Sequence, residues 1–495
     1  MPREDDLRLQ MKRKTRSSTA SRSNLVTASG VAPGGLGVAA PRVRDVPVEH
    51  SQLRERAVQL YSARDVGDVL AGLPGRHRER IIPVAVLVML MLVYVLDRLP
   101  SFSALWEQVT RGRCPGLPLI EATRSAFYKR LHAVSHEYFL ELLRHTTRGL
   151  ETSPLRREWI ASLAPFAQRV LAIDDTTLDG LARKTKWLKG FKKGAPETLG
   201  GRLGCALDLV TGCIAEVLYD PDSAANEKNH FWPLVERLGT GAMYVFDLGY
   251  FSFPIFDGLT ERYCFFVSRL RAKTSVVPLQ TLVDTPVYRD RIVYLGKHRA
   301  NRAAHPVRLV ELLIGTTWYS YVTNVLNPTT LPADKLWALY SQRWSIEMSF
   351  AALKRALGMG FLRLCHQNGV LIQVWSALIV YQVLSHLRLE IAAQNNWRED
   401  EISWLRLMRR IGWYLKRPDP TRSLRQWTLE ESPTLMLEKL GTRKRRATSL
   451  PPEVLQRIEQ SDAPPIDASL TSRTPRQPRP QARASGQSVI VAGLS

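Results

Sequence analysis

The sequence predicts an α/β fold in which a β-sheet is preceded and followed by helical regions, and three observations lead to this prediction. Apolar residues recur at three- and four-residue intervals from Val48 to about Leu143, which is the spacing of amphipathic helices. From about Val170 the apolar residues instead form short runs typical of strands. After Leu331 the helical spacing returns and continues to about Lys416.

The middle of the chain predicts the order of the sheet. Its short apolar runs are Arg169–Ile173, Gly204–Val210, Ile214–Tyr219, Met243–Phe246 and Tyr263–Leu270. Helices are predicted over Asn226–Leu238 and from Pro254 to about Arg262. Three strands, a helix, a strand, a helix and a strand are the order that a ribonuclease-H-like fold requires. Further strand-like runs over about 275–326 predict a β insertion.

Composition divides the chain into five segments. Residues 1–45 and 441–495 are low in apolar content and rich in Arg and Ser, so we expect disordered basic tails. Residues 46–150 are the predicted N-terminal helical DNA-binding region. Residues 151–390 are the predicted ribonuclease-H-like catalytic domain with its insertion, and 391–440 a C-terminal helical region. In the first helical region, the basic segment Glu121–His132 predicts either a DNA recognition helix or an ordinary solvated helix.

The charge of the chain indicates its partner. Lys and Arg number 69 against 46 Asp and Glu, which gives a formal net charge of +23. Nucleic acid is the commonest polyanion that a protein with such an excess of positive charge binds, so we expect double-stranded DNA as the partner. A glycosidase with two carboxylates is disfavoured, because a neutral glycan needs no such field.

Two further features bear on the location of the protein. The apolar run Ile81–Leu96 contains Pro83 and is shorter than the roughly 20 residues of a membrane span, so we expect a buried helix and no membrane partner. Met1–Asn24 has no apolar signal segment, and the five cysteines form no CxxC pair. These features predict a cytoplasmic protein with reduced thiols and no zinc site.

Acidic residues occupy three places that suit catalysis. Asp174 and Asp175 end one predicted strand, and Asp247 follows another. An acid directly after a buried strand lies at the edge of the sheet, where it can point into a crevice without full desolvation. The third place is Glu347, inside a helix predicted over Pro332–Leu357.

The first position has two candidates, because neighbouring residues of a strand point to opposite faces. If Asp174 is the functional acid, Thr176 and Leu178 follow on its own face. If it is Asp175, Thr177 fits but an acid falls where an apolar residue is expected. We favour Asp174 and keep Asp175 as the alternative.

The helix around Glu347 carries a specific spacing. Tyr340, Arg343, Glu347 and Lys354 follow at intervals of three, four and seven residues, which predicts that all four share one helix face. The flanking bulky apolar residues argue against a freely solvated helix. A carboxylate between two cations suits a metal ion beside phosphodiester oxygens.

This pattern resembles the YREK signature of bacterial insertion-sequence DDE transposases of the insertion-sequence-four class, and the resemblance covers roughly residues 80–390. It implies that Asp174, Asp247 and Glu347 bind two Mg²⁺ ions, which Mn²⁺ can replace. It also implies that Tyr340, Arg343 and Lys354 contact the DNA backbone. The enzyme would be a homodimer in its DNA complex and would cleave and join DNA by a cut-and-paste reaction.

Two other groups are predicted to contact DNA. Trp318 resembles an aromatic residue of that family which stacks on a flipped base; the alternative is a Trp packed inside the insertion. A basic segment over 183–193 suits a DNA groove, although it could be a solvated charge run. Its lysines are Lys184, Lys186, Lys189, Lys192 and Lys193.

The sequence therefore predicts a DNA transposase that cleaves transposon ends and joins them to target DNA. Two other hypotheses stay open. One is a standalone nuclease with the same core, which the sequence separates poorly from a transposase. The other is a non-catalytic DNA-binding protein, which predicts damage to the three acidic positions, and the sequence shows none.

Overall fold

The structure, a computed structural model, describes residues 82–111, 120–178, 201–296, 302–360, 362–364, 366–399, 402–408 and 450–471. All of these belong to one compact unit of the chain. The predicted tail over 1–45 and the basic segment over 183–193 lie outside the described residues, as does most of the predicted C-terminal helical region.

Helices come first in the described chain. They are α1 (Val84–Leu96), α2 (Phe102–Thr110), α3 (Arg124–Ala133), α4 (Glu137–Glu151) and α5 (Glu158–Ala161). Ser101 and Thr123 begin α2 and α3 as N-caps, their hydroxyls accepting backbone N–H bonds. The apolar run that starts at Ile81 forms α1, and most of its side chains are buried in the core, as the sequence predicts.

The strands of the described chain join into one nine-stranded sheet. They are β1 (Arg169–Thr177), β2 (Arg202–Asp208), β3 (Ile214–Asp220), β4 (Ala242–Val245), β5 (Phe265–Arg269), β6 (Val276–Asp284), β7 (Tyr288–Leu295), β8 (Val307–Ile314) and β9 (Thr317–Thr323). Their order is β3-β2-β1-β4-β5-β9-β8-β7-β6. Strands β1, β4 and β5 are parallel, and the other pairs are antiparallel.

The predicted insertion thus extends the sheet through the pairing of β5 with β9. The sequence does not clearly predict β6, because Pro278 and polar residues interrupt its apolar pattern. Proline is tolerated in an edge strand, and β6 is at the edge of the sheet.

The two faces of the sheet have separate cores. Val170 and Ala172 of β1 belong to the larger core, which also contains α1 and the later helices. Leu171 and Ile173 belong to the second core, with helices α6 (Lys228–Leu238) and α7 (Phe253–Glu261). Because side chains alternate along a strand, Asp174 continues the first face and Asp175 the second.

The predicted helix Pro332–Leu357 is not one helix, and that prediction was wrong. It consists of α8 (Ala333–Ser341), α9 (Trp344–Ala351) and a π-helix (Ala352–Ala356). At the break, the N–H groups of Gln342 and Arg343 donate to carbonyls three residues earlier, which tightens the backbone. No glycine or proline lies at this position, and the spacing of apolar residues does not indicate a break in the helix.

Helix α10 (Gln367–Gln394) crosses the larger core. Within the described chain it is the helix that is long and apolar enough to cross a membrane, with a mean hydropathy of 1.6. The whole of its apolar window is buried inside the fold, so core packing accounts for its composition. Its Gln382 amide bonds Thr147 and both backbone groups of Ile214, which fixes the helix to β3.

Part of the predicted C-terminal tail is ordered, so the prediction of disorder for 441–495 was wrong for residues 450–471. Helices α11 (Pro452–Glu459) and α12 (Ala468–Thr471) form there. Leu450 and Val454 are buried in the larger core, and Ile466 and Leu470 pack on the β6–β7 region. The prediction rested on the average composition of the whole tail, which does not show where these apolar residues are spaced for packing.

Candidate active site

Asp174 lies among the other predicted catalytic acids. Its pKa is raised to about 7, chiefly because burial disfavours the charged carboxylate. The negative charges of Asp247 and Glu347 raise it further, whereas the Arg343 charge lowers it. The Asp175 N–H donates to Asp174 Oδ1 at 2.8 Å and also lowers it. The fold therefore brings acids from β1, the end of β4 and α9 into one electrostatically coupled cluster.

Asp247 stands in a tight turn after β4. The Gly249 N–H donates to Asp247 Oδ1 at 2.8 Å. A Cβ atom at position 249 would lie 1.9 Å from Glu227 Oε1 and 2.9 Å from Asp247 Oδ1. Glycine at this position thus leaves room for these two carboxylates.

Glu227 is a fourth acid near the cluster, and the sequence analysis missed it. Burial raises its pKa, and the charge of Asp247 raises it further. It lies at the beginning of α6 and also bonds Arg202 at 3.3 Å. It does not directly follow a strand, so the pattern that located Asp174 and Asp247 could not find it.

Glu347 is paired with Arg343, whose guanidinium lies 2.6 Å from Glu347 Oε1. Burial raises the pKa of Tyr340, while the charges of Arg343 and Arg269 lower it. The Tyr340 ring packs 5.1 Å from that of Tyr321 on β9. The structure thus groups the first three residues of the predicted signature.

Asp175 has a different environment, because its side chain is fully buried and its two oxygens are occupied. Oδ2 accepts from Arg202 Nε at 2.9 Å and contacts His230 Nδ1 at 2.5 Å. Oδ1 accepts from the Tyr250 hydroxyl at 2.5 Å. His230 Nε2 also lies 3.3 Å from Asp220. We call these residues, Asp175, Arg202, His230, Tyr250 and Asp220, the Asp175 network.

Two predicted DNA contacts lie away from the acidic cluster. Lys354 is in the π-helix, whose wider turn shifts it from the single helix face predicted for it. Trp318 is partly buried, with Arg289 stacked 4.6 Å from its ring. It faces the opposite side of β9 from Tyr319 and Tyr321, and the latter contacts Tyr340.

The acids suit a hard divalent cation in their chemistry, since Mg²⁺ prefers carboxylate oxygens. The negative charges of Asp247 and Glu347 raise the pKa of Asp174, so these acids repel one another when charged. A bound cation would relieve that repulsion. In the described ranges, however, no three His, Cys, Asp or Glu side chains are grouped closely enough to hold an ion. Glu347 is instead paired with Arg343 at 2.6 Å. Rotation of the Glu347 side chain can exchange this partner for another cation.

Comparison with known proteins adds two findings on sequence. Residues 165–383 match the family described as the transposase DDE domain, and this segment contains Asp174, Asp247 and Glu347. A protein of Sinorhizobium fredii named "Putative transposase y4zB" is 27% identical over 196 residues. That match covers 35% of this chain and 53% of the relative, so the chain spans about half the length of the curated relative. Both similarities are thus to transposases.

A solved structure is also similar. The cryo-EM structure of the piggyBac transposase synaptic complex with hairpin DNA aligns with a TM-score of 0.42 and 11% identity. The alignment covers 80% of this chain and 86% of that one. A similarity of this size does not establish a common fold.

Proposed function

We propose that the protein is a cut-and-paste DNA transposase that cleaves transposon ends and joins them to target DNA by metal-dependent phosphoryl transfer. The observation that carries the proposal is the electrostatic coupling of Asp174 with Asp247 and Glu347, together with the pairing of Arg343 with Glu347. The match of the same segment to the transposase DDE domain supports it. We also propose that the chain belongs to the insertion-sequence-four class, on the spacing of Tyr340, Arg343, Glu347 and Lys354.

The strand arrangement supports a ribonuclease-H-like core. Strands β3, β2, β1, β4 and β5 are neighbours in that order. Strand β2 is antiparallel to both of its neighbours, whereas β1, β4 and β5 are parallel. A helix separates β3 from β4, and another separates β4 from β5. This topology places the ends of β1 and β4 side by side, so their acids meet at one edge of the sheet.

Asp174, Asp247 and Glu347 would hold two Mg²⁺ ions, which Mn²⁺ can replace. When bound, such ions activate the attacking oxygen and stabilise the leaving oxygen of an in-line displacement at phosphorus. Before binding, Glu347 has Arg343 as its partner. If Glu347 held a cation, the Arg343 guanidinium would be available to bind an oxygen of the DNA phosphate.

Other residues would position the DNA. Tyr340 lies beside Arg343 and would contact the same backbone. Lys354 would bind a phosphate beyond the scissile one on the DNA backbone. The basic segment over 183–193 would bind in a groove of the DNA. Trp318 would stack on a base that approaches the Arg289 side of β9. We propose that two copies assemble on DNA and that the protein acts in the cytoplasm.

The test uses the full chain and a plasmid that carries the genomic DNA flanking the coding region. Wild-type protein with Mg²⁺ should release the flanked segment and join it to a second plasmid. Glu347→Gln should abolish both steps and still bind the DNA, whereas the control Glu236→Gln, at an exposed position of α6, should keep both.

The same assay separates the other hypotheses. Cleavage without joining, lost in Glu347→Gln, would indicate a standalone nuclease. DNA binding without cleavage by wild-type protein in Mg²⁺ or Mn²⁺ would indicate a non-catalytic DNA-binding protein. Cleavage by Glu347→Gln at the wild-type rate would refute the role of this acid.

A further inference from the structure

A basic cleft of about 260 Å³ lies between the C-terminal end of α1 and the loop that follows the π-helix. Four cationic residues line it, namely Arg98, Lys354, Arg355 and Arg363. None of the described residues that line the cleft is acidic. Three of the four cations belong to neither the acidic cluster nor the predicted signature.

The cleft has a defined shape, because hydrogen bonds fix its walls. The Arg98 guanidinium donates to the Arg355 carbonyl at 3.2 Å, which ties the end of α1 to the π-helix. The Gly360 N–H donates to the Lys354 carbonyl at 3.2 Å and turns the chain back. The Arg363 N–H donates to Gln373 Oε1 at 2.9 Å, which holds this loop on α10.

The electrostatics of the cleft favour an anion. Four cations that share one cleft repel one another, and a bound anion relieves that repulsion. The nearby acid Asp97 accepts from the Gln108 amide at 3.1 Å and does not line the cleft. Planar guanidinium groups suit phosphate oxygens, which they bind in a bidentate manner.

We propose that this cleft binds a phosphodiester group of the DNA backbone beyond the scissile phosphate, an inference that rests on the proposed function. Lys354 follows Glu347 on a continuing helix by seven residues, a rise of about 10 Å. A separation of this size places the bound phosphate beyond the scissile one.

Arg355→Gln is the main variant, because Arg355 is exposed and its carbonyl, which receives the Arg98 bond, is retained. Arg98→Asn is the second, since Arg98 has a φ of 50°, which asparagine tolerates well. The matched control is Arg237→Gln, which removes an exposed arginine on α6 that pairs with Glu216. DNA affinity is measured without divalent metal over a range of salt concentrations.

Each cleft variant should lower the slope of log K against log salt by about 0.9, while the control keeps the wild-type slope. Methylphosphonates placed one at a time then locate the phosphate. Neutralising the phosphate that the cleft binds, at one position beyond the scissile bond, should weaken wild-type binding. Arg355→Gln should be insensitive at that position only. An unchanged slope, or equal sensitivity of wild type and variant at every phosphate, would overturn the proposal.

Inorganic phosphate tests a different source of the same group. If it stabilises the wild type but not Arg355→Gln against heat while the DNA salt slope is unchanged, the cleft takes free anions and the proposal is wrong. Because these measurements need no cleavage, a failed cleavage assay would affect the proposed function and not this site. A normal cleavage assay with unchanged salt slopes would refute the cleft alone.

Discussion

Two neighbouring aspartates of β1 have opposite surroundings. Asp175 is fully buried, and Arg202, His230 and Tyr250 occupy its oxygens. Burial raises the pKa of Asp174 to about 7, and neighbouring negative charges contribute to this rise. A backbone N–H bond to its carboxylate opposes it. The same residue type thus serves as a structural centre on one face of the strand and, in the proposed function, as a reactive group on the other.

This difference shows how the fold can support a repulsive cluster. The Asp175 network joins β1, β2, α6 and the turn after β4, which carries Asp247. Its charges are compensated, so it can hold those elements in place. The acidic cluster on the other face is compensated only in part, by the pairing of Arg343 with Glu347. Its geometry therefore has to come from the network behind it.

The largest effect is expected from removing the centre of the network. Asp175→Ala should lower the free energy of unfolding by about 3–5 kcal/mol, because it removes the fully buried carboxylate that pairs with Arg202 and His230. Urea denaturation measures this change. A loss below about 1 kcal/mol, the range of an exposed ion pair, would show that the network does not hold the fold.

A smaller effect is expected from Tyr250→Phe, which removes one hydrogen bond to the Asp175 carboxylate and keeps the buried ring. We expect a loss of about 1.5–3 kcal/mol by the same denaturation measurement. Tyr263→Phe is the control, since that side chain is exposed. Equal losses for the two variants would contradict the assignment.

Gly249→Ala tests the approach of Glu227 to Asp247. The added methyl would lie 1.9 Å from Glu227 Oε1, so one carboxylate must move. Cleavage should fall about tenfold, as when a residue that supports metal ligands is changed. Gly149→Ala is the control, because nothing lies within 4 Å of its added atom. Wild-type cleavage by Gly249→Ala would show that this approach has no role.

The smallest effect concerns pH. The hydrogen bond with Asp175 raises the pKa of His230 above 6.5, with burial opposing it and Asp220 adding to it. The stability from His230 protonation is therefore complete below pH 6.5 and is lost as pH rises through the raised folded pKa. Between about pH 6 and 8, wild type should lose thermal stability relative to His230→Gln. A gain in the thermal stability of wild type relative to His230→Gln over that pH interval would contradict this prediction.

Much of the core could be predicted from sequence, because short apolar runs bounded by polar residues specify strands directly. β1 to β5 lie where these runs predict them, and the acids at the ends of β1 and β4 share one site. The break before Arg343 could not be predicted, since ordinary helix-forming residues span it. Glu227 and the Asp175 network depend on contacts between distant segments, which local spacing does not reveal.

The variants Asp174→Asn and Asp175→Asn test directly whether the two aspartates have different roles. Both are assayed for Mg²⁺-dependent cleavage at low temperature and for the free energy of unfolding. Asp174→Asn should lose at least about 100-fold in cleavage and keep or gain stability, because a repelled buried charge is removed. Asp175→Asn should lose stability, since Arg202 and His230 lose their charged partner. Wild-type cleavage by Asp174→Asn, with a stable but inactive Asp175→Asn, would contradict the account.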